Sequence, residues 1–102
     1  MREANELAKK LDALGHPLRL RIIATLADQD KEMYLNEIAI ALGVSRALAK
    51  IHLKKLEKAG LAKTRVSLAE GEAKALRYYE LRDFDIHVNP KILVKEVEKS
   101  GQ

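Results

Sequence analysis

The chain has 102 residues, 47% hydrophobic and 33% charged, with a net charge of +4 and no cysteine. That length supports one modest hydrophobic core, and the missing thiols exclude disulfides, thiolate metal sites and cysteine nucleophiles. No apolar run approaches the roughly 18 residues of a membrane span, and the charged start MREANELAKKLDAL lacks the apolar stretch of a signal peptide, which predicts a cytoplasmic protein without a membrane partner.

Leu7, Leu11 and Leu14, with Ala4 and Ala8, recur at three- and four-residue steps. They predict a first helix over 3–14, stopped by Gly15. Pro17 suits the first position of a second helix over 17–28, with Leu18, Ile22, Ile23 and Leu26 inward. His16, just before it, reads as a cap or surface residue. The polar run from Asp28 to Glu32 is a loop, and Met33-Tyr34-Leu35 is a short strand. Asn36 then caps a third helix over 37–42.

That helix pattern breaks after two turns at Gly43-Val44-Ser45 and resumes at once. Glycine takes the left-handed conformation that closes a helix, and serine caps the next one. Val44 between them plugs the angle. A helix, a short glycine turn and a capped helix make a helix-turn-helix.

The fourth helix is predicted over 46–59. At about 100° per residue, Leu48, Ala49, His52, Leu53, Leu56 and Ala59 share the inward half. Arg46, Ala47, Lys50, Ile51, Lys54, Lys55 and Lys58 share the other. A solvated helix face mixes both charge signs; this one is cationic with small and apolar residues between.

After Gly60 the stretch Ala62–Leu68 alternates as a strand, with Ala62, Thr64, Val66 and Leu68 on one face. AEGEA, 69–73, turns the chain and carries Glu70 and Glu72. Residues 74–83 return as a second strand holding Tyr78 and Tyr79, at least one of them in the core. Residues 84–88 run extended, and Asn89-Pro90 opens a last helix over 90–99. The expected fold class is mainly α with a small β-hairpin (α+β). It forms a single winged helix-turn-helix domain over 1–102, with terminal helical segments 1–15 and 89–100, the helix-turn-helix at 36–60 and the wing at 61–83.

The charge is unevenly placed. Residues 45–82 hold a net +6, and the segments on either side hold −1 each. So concentrated a basic segment predicts a polyanion partner. Aromatics are 4% of the chain, too few for a platform that stacks single strands. There is no glycine-rich phosphate loop, HExxH or triad, which argues against an enzyme, and no cofactor or small-molecule pocket is expected. Asp83, Asp85 and His87 alternate, so on a strand they would share one face. A metal there is the minor reading beside a polar strand face. His52 reads as a hydrogen-bonded core or boundary histidine.

ALGHPLRLRIIATL, LNEIAIALGVSRALAKIHLKKLEKAGL and a hairpin ending RYYEL together resemble the ArsR-like winged helix-turn-helix transcription regulators. The resemblance spans roughly residues 11–82. It implies a homodimer on double-stranded DNA, built by the first and last helices. It also implies Ser45, Arg46, Ala47, Lys50 and Ile51 at positions facing the major groove, with the wing on the flanking backbone or minor groove. The metal sensors among these regulators usually carry cysteines in the third helix; this chain has none.

Arg46 suits bidentate pairing with guanine, with Lys50 next, and Ala47 and Ile51 suit thymine methyls. Lys54 and Lys55 lie further along, toward phosphate. Lys63, Arg65 and Arg77 flank the wing. Leu7, Leu11 and Leu14 on the first helix, with Leu93, Val94 and Val97 on the last, are the candidate dimer interface. The alternative is a winged-helix module that docks on protein in a larger assembly.

Overall fold

The computed structural model describes residues 2–29, 31–68 and 75–99. In chain order these form α1 (Arg2–Leu14), α2 (Pro17–Gln29), β1 (Met33–Tyr34), α3 (Leu35–Leu42), α4 (Arg46–Lys58), β2 (Ala62–Leu68), β3 (Ala75–Leu81) and α5 (Pro90–Lys99). The hairpin turn at 69–73, with Glu70 and Glu72, lies outside the described residues.

The core is where α2, α3 and α4 meet the sheet. Ile22, Leu26, Ile38, Leu42, Leu53, Leu56, Leu61 and Tyr79 are buried there. Each buried Leu or Ile contributes about 1.5–3 kcal/mol relative to exposure. Of the tyrosine pair, Tyr79 is the core residue, as alternation on a strand requires. Leu48, expected on the inward half of α4, is instead 40% exposed, because it lies at the edge of the inward arc, while Ala49 beside it is buried.

The sheet runs β1-β3-β2, and both pairings are antiparallel. Thr64 faces Tyr79 and Arg65 faces Tyr78 across the hairpin. Met33 and Tyr34 pair with Tyr79 and Tyr78 on the other edge. Ala62 is buried, but Val66 on the same face is 58% exposed, so the hairpin runs outward from the body.

Several boundaries move by one residue from the sequence reading, and two shift further. The third helix starts at Leu35, and Tyr34, not Asn36, stands at its N-cap. The Glu37 carboxylate accepts the Tyr34 amide at 3.0 Å, and starting early buries Leu35. The second hairpin strand ends at Leu81 rather than residue 83. Residues 82–89 belong to no strand. One bond from the Arg82 amide to the Leu61 carbonyl (3.1 Å) continues past the ladder.

α3 and α4 end with the same lock. Gly43 has φ +69° and Gly60 φ +78°. After each glycine the next amide reaches five residues back: Val44 to Ala39 and Leu61 to Leu56, both at 3.0 Å. This satisfies carbonyls that the helix leaves open and drives an apolar residue into the core. Leu61 is fully buried, and Val44 packs against the core between the two helices.

Candidate nucleic-acid interface

Ser45 leaves the turn in an extended conformation, and its Oγ accepts the Leu48 amide at 3.0 Å. The first turn of α4 is thereby fixed. Ala49, His52, Leu53 and Leu56 are buried beneath the helix. Arg46, Ala47, Lys50, Ile51, Lys54, Lys55 and Lys58 are exposed, with Ile51 the large apolar residue of that face, at 65%. The single acid of α4 is turned away: Glu57 accepts the Thr64 hydroxyl at 2.9 Å and ties the helix to β2. Every charged residue on the outward face of α4 is therefore a cation.

Arg46 and Lys50 meet Arg77 of β3 around a hollow of about 470 Å³. Tyr34, Leu35, Asn36 and Leu76 complete its lining, so the N-terminus of α3 opens into it. Three cations and a helix N-terminus converge on one concavity.

Other cations are engaged within the protein. Lys55 Nζ is 2.7 Å from the Asp12 carboxylate of α1. Lys63 pairs with Glu80 across the hairpin at 3.1 Å. Arg65 clasps Glu32 with Nε and Nη2 and lies 4.8 Å from the centre of the Tyr78 ring. These pairs hold the Asp12 and Glu32 carboxyls below their ordinary range, chiefly through the hydrogen bonds from Lys55 and Arg65. Arg46, Lys50, Lys54 and Lys58 have no acidic partner among the described residues.

Two arginines outside the expected set brace this face. Arg21 donates to the Leu42 carbonyl at the end of α3 (3.3 Å). Arg19 donates to the Asp12 and Ala13 carbonyls and contacts His52. No local pattern marks them, because their partners are distant in sequence. His16 is a cap, as expected: its Nδ1 accepts the Leu18 amide at 3.0 Å.

The alternating acids do not assemble. Asp85 and His87 pair at 3.1 Å on the surface and line a groove with Leu7, Ile86 and Ile92 between α1 and α5. Asp83 lies at another hollow with Lys31, Glu32 and Glu80. The segment is not a strand, so the shared face is absent. No group of three metal-capable side chains occurs among the described residues.

The terminal helices pack on each other without closing. No residue of α5 is buried among those described. Leu7 and Leu14 are half-buried, while Leu11 (38%), Leu93 (39%), Val94 (58%) and Val97 (42%) remain open. Pro90, Leu93, Val94 and Val97 form one apolar strip.

A helix-turn-helix domain family model matches residues 14–65. The chain belongs to this helix-turn-helix family. An uncharacterized HTH-type transcriptional regulator of Methanocaldococcus jannaschii is 33% identical over 93 residues, covering 91% of this chain and 94% of that one. Among solved structures, a homodimeric winged helix-turn-helix DNA-binding domain from Mycobacterium bovis, described as a possible ArsR-family regulator, superposes with a TM-score of 0.66 at 21% identity. It covers 96% of this chain and 78% of that one. The transcriptional repressor BigR of Xylella fastidiosa superposes with a TM-score of 0.64 at 23% identity, covering 98% and 84%. The architecture of this helix-turn-helix protein is the ArsR-like winged fold. No helix among its described residues is long and apolar enough to cross a membrane.

Proposed function

We propose that this helix-turn-helix protein is a homodimeric, sequence-specific binder of double-stranded DNA that regulates transcription in the cytoplasm. The observation that carries the reading is the outward face of α4: cations without acids, on a helix whose N-terminus is capped and whose back is buried. A helix of this form fits the major groove, with its first turns at the base edges.

Arg46 and Lys50 read bases, and Ala47 and Ile51 meet thymine methyls. Arg77 and the N-terminus of α3 hold phosphate at the shared hollow, with Ser45 beside them. Lys54 meets phosphate further along. Lys55, Lys63 and Arg65 reach DNA only by giving up their acids, which favours a smaller role for them. The hairpin lies on the flanking backbone.

Support for a dimer is the uncovered apolar strip of α5 with the open Leu11 of α1, and the homodimeric state of the Mycobacterium bovis neighbour. A dimer would double a reading head too small for useful affinity alone.

The test is selection of bound duplexes from random-sequence DNA, followed by a salt series. An enriched inverted repeat is expected. If about 6–10 phosphates are neutralised, affinity falls about 10³–10⁵-fold between 50 and 200 mM salt. Absence of binding at low salt would transfer the fold to protein docking. Arg46→Ala should lose discrimination at one base position, at a cost of about 1–3 kcal/mol. Equal weakening on all sequences would make Arg46 a phosphate contact.

A further inference from the structure

Helices α1, α2 and α4 meet at one polar junction. Arg19, on the first turn of α2, uses three nitrogens there. Nε donates to the Ala13 carbonyl at 2.6 Å and Nη2 to the Asp12 carbonyl at 3.3 Å. These carbonyls belong to the last turn of α1, which has no intrahelical donors left. Nη1 lies 2.9 Å from Nδ1 of His52 on α4. His52 is the buried polar residue of the described chain, 9% exposed. The His16 ring is 4.5 Å from it, centre to centre. Lys55, three residues beyond His52, pairs with the Asp12 side chain. Lys9 and Lys58 line the adjoining hollow.

The chemistry fixes a protonation state. A guanidinium only donates, so Nδ1 of His52 must accept, and the imidazole is neutral with its proton on Nε2. Nδ1 of His16 likewise accepts, from the Leu18 backbone amide. A second proton on His52 would set N–H against N–H and a positive charge beside Arg19.

We propose that Arg19 and His52 are positioning residues for DNA recognition: their bond fixes α4 against α1, and a proton on His52 releases it. The inference rests on the reading of α4 as the DNA-reading helix and α1 as part of the dimer seam. In such a dimer the α1–α4 angle sets the distance between the two reading helices. Inverted half-sites have a fixed spacing, so a released junction costs specific binding. Binding through phosphate alone is not weakened, since protonation adds positive charge. Burial first, then electrostatic repulsion from His16 and Arg19, hold His52 below the ordinary histidine value. The junction is closed at neutral pH and opens in mild acid.

The experiment measures binding of the whole protein by fluorescence anisotropy from about pH 8 to about pH 5.5, spanning the ordinary histidine range. One probe is the duplex recovered by selection, the other a random-sequence duplex. For the wild type, affinity for the selected duplex should fall by up to about tenfold per pH unit for each protomer, the limit for uptake of one proton by each His52. Affinity for the random duplex should hold or rise. His52→Gln, which accepts through an amide oxygen and does not titrate here, should flatten the profile for the selected duplex. His87→Gln should leave it as in the wild type. A profile that His52→Gln leaves unchanged overturns the proposal. If that variant does not fold, NMR titration of the wild-type imidazoles decides. Proton uptake by His52 must coincide with loss of specific binding; titration of His52 with specific binding intact overturns the proposal. Failure to bind any duplex selectively at any pH removes the DNA reading itself, and the junction's role with it.

Discussion

Gly43 and Ser45 stand two residues apart and determine how α3 turns into α4. At Gly43 an added Cβ would meet nothing within 4 Å, but φ is +69°. Gly43→Ala therefore costs only backbone strain, about 1–2 kcal/mol. Ser45→Ala removes the acceptor for the Leu48 amide, at about 1 kcal/mol. For a chain of this size that lowers Tm by about 4–8 °C, measurable by calorimetry. Ser45→Asp should retain the cap and most of the stability, yet weaken DNA binding by placing an anion where phosphate approaches. Stability should also depend on the His52 proton. Its folded value lies below the ordinary 6.5, so the unfolded chain binds that proton more readily. Stability contributed by neutral His52 is whole above that value and falls as pH drops below it. Chemical denaturation midpoints across this range should show the decline, and His52→Gln should reduce it.

α4 shows how one element sorts its charges. Four of its cations have no acid among the described residues, whereas Lys55 is held by Asp12 from α1. Neighbouring lysines on one helix should therefore differ in effect. Lys54→Ala should reduce the salt slope by about one for each protomer bound and weaken binding on every sequence alike. Lys55→Ala should change the slope less, because the wild-type lysine is already occupied. Equal slopes from the two variants would show that the Asp12 pair yields to phosphate. Both pairing partners are exposed, so loss of the bond should hardly alter stability. Much of this element is legible in sequence. The inward arc, the capping serine and the one-sided cations follow from the 3.6-residue period. The separate fate of Lys55 is not, because its partner Asp12 comes from α1.

The molecule as a whole is elongated, 54 × 24 × 23 Å, with a radius of gyration of 16.0 Å. A compact chain of this length would have about 13 Å. The excess fits a body whose terminal helices and hairpin wait for other surfaces. Val94→Asp should leave the core intact, since Val94 is 58% exposed and outside the core cluster. It should convert a dimer to monomers in sedimentation and cut affinity for an inverted repeat more than for a half-site. A monomeric wild type would place the strip against another partner.

The boundary between sequence and structure follows from the reach of each interaction. Helix periods, glycine stops, the serine cap and the strand alternation are local, so the order of elements and the cationic face of α4 could be read along the chain. The start of α3 at Leu35 could not, since burial of Leu35 outweighs the cap expected from Asn36. The single face expected of Asp83, Asp85 and His87 was lost because residues 82–89 find no strand partner. Arg19, His52 and His16 look unrelated in sequence. Only packing brings α1, α2 and α4 within hydrogen-bond distance, where a guanidinium that cannot accept dictates the protonation of a buried imidazole.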